Sequence, residues 1–137
     1  MKEKLKNIVS RFRGKNILVI GDLILDHHIF GAVERVSPEA PVPVVWANKE
    51  KFVPGGAANV GLNLSALGAK VSLCGVIGKD HFGESLFSLI NDSGICTDLI
   101  VKDDQRPTTL KTRIIAHRQQ MLRVDWESLE FLAAQTY

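Results

Sequence analysis

Residues 54–78, PGGAANVGLNLSALGAKVSLCGVIG, constrain this chain more than any other stretch. Gly55 and Gly56 open it, a run of small and apolar residues follows, and Gly68 precedes a short apolar segment ending at Gly75 and Gly78. Without a side chain, glycine lets a backbone approach another group closely. A helix that begins just after such glycines offers unpaired N–H groups to an oxygen-rich or anionic ligand. Asn59 falls in the first turn, where its amide both donates and accepts. The stretch reads as a ligand-holding turn at the edge of a sheet. A tight turn without a ligand would also place a glycine pair before a helix.

The spacing of Gly55, Gly56, Asn59, Gly68 and Gly78 resembles the first signature of the ribokinase-like (PfkB) sugar kinases. Gly61 departs from it, standing where that family has Ser, Thr or Ala, but it is still small. The segment SPEAPVPVV, followed by PGGAANV, resembles the kinase domain of the heptose-phosphate kinases of lipopolysaccharide core synthesis. The resemblance implies an α/β, ribokinase-like fold: a mostly parallel sheet flanked by helices, with a small β lid. It implies that residues 1–137 form the N-terminal part of such a domain, with the C-terminal part of the fold missing. The implied reaction moves a phosphoryl group from Mg-ATP to the anomeric hydroxyl of D-glycero-D-manno-heptose 7-phosphate.

Residues 15–22, KNILVIGD, form a short continuous apolar run, as in a strand buried on both faces of a parallel sheet. Ligands of open α/β sheets gather beyond the carboxyl ends of the strands. Asp22 stands at such an end, where a carboxylate suits two sugar hydroxyls or simply caps a turn. Asp26, four residues on, is a second candidate. His27 and His28 point to opposite faces of a strand and cannot easily share a metal, so no metal site is expected there.

Residues 28–53 read as strand, proline-rich connection and strand, a flap outside the main sheet. Pro38, Pro41 and Pro43 make a central strand unfavourable before Val44. In the family this flap is the lid over the sugar and often the dimer surface, so a homodimer through it is expected. Arg35 is a candidate for the sugar's own phosphate or a surface residue of the lid.

From Ala57, a helix carries Val60, Leu64 and Leu67 on one face, while Ala57, Gly61 and Gly68 keep another line small, which allows close packing on the sheet. Gly68 suits the C′ position. After the strand KVSLCGVIG, Asp80 caps a helix with Phe82, Leu86, Leu89 and Ile90 as its apolar stripe. ICTDLIV is the next strand, completing an α/β alternation.

Residues 108–125 read as a hairpin turning near His117 to Gln119, although no Gly or Asn there supplies a positive φ. They form the second part of the lid. The resemblance continues through Lys111, Arg113, Gln119, Gln120, Arg123 and Asp125. Lys111 and Arg113 are the substrate-binding candidates here, with Gln120 and Asp125 as further possibilities.

Composition excludes more than it selects. A formal charge of +2 does not argue for nucleic acid, and no apolar run approaches a membrane span. The N-terminus has Leu5, Ile8, Val9 and Phe12 at helical spacing and lacks the apolar core of a secretory signal. Cys74 and Cys96 are too few and too far apart for a zinc motif or disulfide framework, which suits a reducing cytoplasm. Cys74, inside an apolar strand, reads as a small buried residue.

The family's second signature, a D-T-x-G-A-G-D stretch supplying the anion hole and the aspartate base, does not occur among the 137 residues. No G-x-x-x-x-G-K-[ST] loop replaces it. Catalytic residues and the sites for ATP and Mg2+ are therefore expected outside this stretch, and the 137 residues alone are expected to be inactive. Alternatives are a non-catalytic sugar-binding or dimerising fragment, or a PfkB kinase for another sugar. A dinucleotide-binding module is the weakest, since no G-x-G-x-x-G follows a strand.

Overall fold

The computed structural model describes residues 2–132. In chain order the elements are α1 (Lys2–Ser10), β1 (Asn16–Ile20), β2 (Leu23–Val36), β3 (Pro43–Gly55) and α2 (Gly56–Ala66). Then come β4 (Lys70–Gly78), α3 (His81–Asn91), β5 (Cys96–Asp103), β6 (Thr109–Ala116) and β7 (Gln119–Trp126).

The strands form two sheets. One is parallel, in the order β1-β4-β5; the other is mixed, in the order β3-β2-β6-β7. In the second sheet β2 is parallel to β6 and antiparallel to β3, and β6 is antiparallel to β7. The strands within residues 28–53 and 108–125 belong to this second sheet, whose first strand already begins at Leu23 rather than near His28. Pro43 opens β3 and Pro54 sits near its end. Both are tolerated because β3 is an edge strand, where a missing N–H leaves no neighbour unpaired.

Leu23, Leu25, Leu73, Ile77, Leu86, Ile90 and Leu110 form the centre of the core, where both sheets meet the helices. α3 matches its sequence pattern: Leu86 and Ile90 are buried, and Phe82 and Leu89 pack beside them. The Asp80 side chain caps it, accepting from Gly83 N at 2.7 Å. Gly68 takes φ +90° just beyond α2.

α2 turns a different face inward than its large residues suggest. Ala58 and Gly61 are buried, whereas Val60 and Leu67 are 49% and 42% exposed. A Cβ on Gly61 would lie 3.2 Å from the Leu73 side chain, so the small line lets the helix backbone rest directly on β4.

β1 also departs from expectation. Ile17 and Val19 pack against the core, but Leu18 and Ile20 are 53% and 71% exposed. With Leu99 and Val101 of β5 they form one apolar face of the parallel sheet that is exposed among the described residues. Cys74 is only partly buried, and Leu5, Ile8 and Val9 of α1 are exposed.

The hairpin between β6 and β7 turns at His117 and Arg118, with φ of +51° and +65°. Two consecutive positive φ values are what a tight two-residue hairpin needs. His117 adds a tertiary contact: its Nε2 lies 3.2 Å from Val33 O on β2.

Candidate functional site

The glycine corner joins β3 directly to α2. Gly56 has φ +56°, and a Cβ there would collide with the Asp22 carbonyl oxygen and sit 3.0 Å from the Ile24 side chain. A Cβ on Gly55 would lie 2.5 Å from Asp26 Oδ2. The glycines thus make room for the protein's own β2 segment, and Gly55 is buried rather than open to a ligand. Ala57 N donates to Asp22 O at 2.9 Å, which consumes one first-turn N–H group. No side chain caps the start of α2.

Asp22 is exposed. Asn59 is exposed on α2; its Oδ1 accepts from Asn63 Nδ2 at 3.3 Å, and its carbonyl accepts from the same group at 2.8 Å. Asp26, a secondary candidate from sequence, is the better-positioned carboxylate. It lies against Gly55 and accepts from Arg113 Nη1 at 2.5 Å through Oδ1.

The register places Asp26 beside Lys111, and Lys111 beside Asp125, on one face of the mixed sheet. Lys111 Nζ lies 3.1 Å from both Asp125 Oδ2 and Glu127 Oε2. Hydrogen bonds to Glu127 and Asp125 raise the Lys111 pKa above its ordinary value, against the effect of burial. Burial works against charge on Asp125, but Lys111 and Arg123 outweigh it and hold the carboxyl below its ordinary value. Arg123 Nε is 3.0 Å from Asp125 Oδ1 without the alignment of a hydrogen bond.

Two candidates stand apart from this cluster. Arg35 is nine residues beyond Asp26 on β2, about 30 Å along an extended strand. Gln120 pairs with Ile115 beside the hairpin turn, past a bulge. Sequence reasoning did not select Glu127, yet the alternation Arg123, Asp125, Glu127 is the strand-period signal that could have found it.

A cavity of about 630 Å³ lies elsewhere, over the carboxyl end of β1 and the middle of β4. Ile20, Cys74, Val76 and Val101 give it an apolar lining, and Asp22 reaches its edge. Of the substrate-binding candidates only Asp22 lines it. Its apolar floor is the exposed sheet face, while the convergent charges lie on the other sheet.

The sequence pattern of the pfkB family carbohydrate kinases matches residues 15–136. The chain belongs to this family. It is 56% identical over 113 residues to the bifunctional protein HldE of Helicobacter pylori J99, covering 82% of this chain and 24% of that protein. It is 49% identical over 118 residues to the D-beta-D-heptose 7-phosphate kinase of Bordetella bronchiseptica, covering 86% and 37%. The PfkB chain therefore spans 24% to 37% of the length of these relatives. Among solved structures it is similar to a fructokinase from Xylella fastidiosa with bound ATP. The TM-score is 0.61 at 26% identity, covering 83% of this chain and 33% of the other. A carbohydrate kinase from Agrobacterium tumefaciens gives a TM-score of 0.65 at 25% identity, covering 81% and 35%. The ribokinase-like α/β fold of this PfkB chain is thus a partial one. Among the described residues no helix is long and apolar enough to cross a membrane.

Proposed function

We propose that these residues form the acceptor-binding part of a PfkB kinase that phosphorylates D-glycero-D-manno-heptose 7-phosphate at its anomeric hydroxyl, in the cytoplasm. The observation that carries this reading is Asp26, held between Gly55 and Arg113 beside the uncapped start of α2. A carboxylate accepts hydrogen bonds from sugar hydroxyls, and helix N–H groups donate to sugar oxygens. Asp22 and Asn59 supply further polar groups beside that corner, and Lys111 and Arg113 add positive charge. The heptose kinase name among the relatives supports the choice of sugar.

In the whole reaction the bond from the γ-phosphorus of ATP to its bridging oxygen breaks. A new bond forms to the sugar O1, which loses its proton to a base. Phosphoryl transfer of this kind rests on positioning and charge stabilisation. The residues here orient the acceptor; we assign none of them as the base. Mg2+ is expected with ATP, where such an ion is held by one or two carboxylates together with the nucleotide phosphates. Asp26 and Asp125 are already paired with cations.

Calorimetric titration of the 137-residue chain with heptose 7-phosphate tests the reading. Saturable binding that is lost in Asp26→Ala is expected, without ATP turnover. Absence of binding overturns it, and tighter binding of ribose or fructose in competition would move the assignment to another acceptor. A second role, homodimerisation through the mixed sheet, is supported by Trp46 at 72% and Val36 at 64% exposure. Sedimentation equilibrium decides it: a monomer that is unchanged by Trp46→Glu discards the dimer.

A further inference from the structure

We infer that α1 is a surface anchor that lays its apolar stripe into an anionic lipid bilayer. The inference is independent of the acceptor reading, which assigns this helix nothing. Residues 1–15 hold Lys2, Lys4, Lys6, Arg11, Arg13 and Lys15 against one acid, Glu3. That is a charge of +5 in a chain whose total is +2, so the remaining residues are net acidic. Positive charge gathered on one short element orients the molecule in the field of an anionic surface.

The placement of these charges selects a bilayer. Successive helix residues turn by about 100°, which sets Ile8, Leu5 and Val9 in order across an arc of about 100°. Lys4 stands about 40° outside the Ile8 edge and Lys6 about 60° outside the Val9 edge. Glu3, Asn7 and Ser10 fall on the opposite side. A helix lying flat in a bilayer interface needs this pattern. Its apolar side chains point down, lysines on both flanks snorkel to the headgroups, and the acid faces away from the lipid. A nucleic acid would leave the apolar stripe unused, and a second copy would set +5 against +5 across the same face.

Leu5, Ile8 and Val9 are exposed, and none packs in the core. Arg11 N and Phe12 N donate to Ile8 O and Val9 O, each at 3.1 Å, so the winding continues past α1 and keeps Phe12 beside the stripe. An open groove of about 270 Å³ lined by Ile8, Phe12 and Ile17 extends the apolar surface, with Arg11 and Lys15 also lining it. Gly14 N donates to Gly68 O and Lys70 N to Lys15 O, each at 2.8 Å, which ties the helix to the amino ends of β1 and β4. Exposed Lys70 adds charge there, whereas Asp98 on β5 and Asp92 just before it lie toward the opposite edge of the sheet from β1. Asp22 lies past the carboxyl end of β1, about 20 Å away along the strand, so a bilayer under α1 leaves the glycine corner clear. At nine residues, about 13.5 Å, α1 is too short to cross a bilayer, and the attachment is peripheral.

The test co-sediments the 137-residue chain with vesicles of phosphatidylcholine alone, and of phosphatidylcholine with about 30% phosphatidylglycerol. Binding should favour the anionic vesicles by about tenfold or more and fall steeply as salt is raised from about 0.05 to about 0.5 M. Lys4→Gln with Lys6→Gln, and separately Leu5→Gln with Val9→Gln, should each lower it by about tenfold or more. Lys49→Gln with Lys51→Gln, the same charge change on β3, should keep it. All these positions are exposed and outside the core, and matched melting curves verify that the variants fold. Equal binding to both vesicles, or undiminished binding in both α1 variants, overturns the proposal. Loss in only one α1 variant also overturns it, because the stripe and its flanks must act together. So does binding to neither vesicle. If the chain then self-associates in sedimentation velocity, and Leu5→Gln with Val9→Gln abolishes this, a second copy covers the stripe instead. Sugar binding is not read in this assay, so either reading can fail alone.

Discussion

Arg113 Nη1 lies 2.5 Å from Asp26 Oδ1, and the pair is diagonal across two parallel strands. The register sets Asp26 opposite Lys111 and His28 opposite Arg113. By reaching back to Asp26, Arg113 leaves Lys111 to turn toward Asp125 and Glu127. The same guanidinium donates to Lys111 O at 3.3 Å, which steadies the exchange of partners. Asp26 is thereby held in place while Oδ2 stays beside Gly55.

Asp26→Asn keeps the shape and removes the charge. We expect affinity for heptose 7-phosphate to fall by about tenfold or more, since hydrogen bonds to a charged group contribute about 1.5–3 kcal/mol. The Asp26 and Arg113 side chains are only 21% and 24% exposed, so leaving the guanidinium with an uncharged acceptor should also cost about 1–3 kcal/mol of stability. Calorimetry and thermal melting separate the two effects.

Gly55→Ala puts a methyl group 2.5 Å from Asp26 Oδ2. The carboxylate must shift, so binding should fall as in Asp26→Asn, with a folding cost of about 1–3 kcal/mol. Gly56→Ala meets backbone instead, at the Asp22 carbonyl, and adds about 1–2 kcal/mol for a left-handed alanine. It should be the more destabilising of the two in urea unfolding.

Asp80 ties three segments together: Oδ1 accepts from Gly83 N and Oδ2 from Thr108 N, each at 2.7 Å. Burial disfavours its charge, but these hydrogen bonds outweigh that and lower its pKa from the ordinary value. A carboxyl lowered in the folded state contributes stability above its unfolded pKa of about 3.9 and loses it as pH falls through the folded value. The urea midpoint should therefore drop as pH is taken from about 5 to about 2, and drop less in Asp80→Asn. At neutral pH, Asp80→Ala should cost about 1–3 kcal/mol by leaving the cap and the Thr108 N–H without an acceptor.

Arg118 holds φ +65° in the hairpin turn without being glycine. Arg118→Gly should raise stability by about 0.5–1 kcal/mol, because relief of about 1–2 kcal/mol of left-handed strain exceeds the entropy cost of about 0.5–1 kcal/mol. His117 is left in place because its ring contacts Val33. A higher melting temperature is the expected reading.

Leu18 and Ile20 present apolar side chains on the exposed sheet face. A parallel sheet is normally covered on both faces. This face should give the chain a second route to self-association, separate from the mixed sheet, and Leu18→Lys with Ile20→Lys should reduce it in sedimentation velocity without lowering the melting temperature, because neither residue packs in the core.

Short-range features were legible in the amino-acid order. The cap at Asp80, the C′ glycine at position 68, the stripe of α3 and the α/β alternation all depend on neighbours within a few residues. The small line of α2 was legible as a surface that could pack closely on the sheet, but the exposure of Val60 and Leu67 was not, because it depends on how closely β4 approaches. Gly61 against Leu73 wins over the larger Val60 and Leu67 because a small surface allows closer contact. The site divided in the same way. Period-two spacing places Lys111 with Arg113 and Arg123 with Asp125, but spacing within a strand is silent about the strand alongside. Only the pairing of β2 with β6 brings Asp26 to Arg113, and only the length of β2 carries Arg35 away from both.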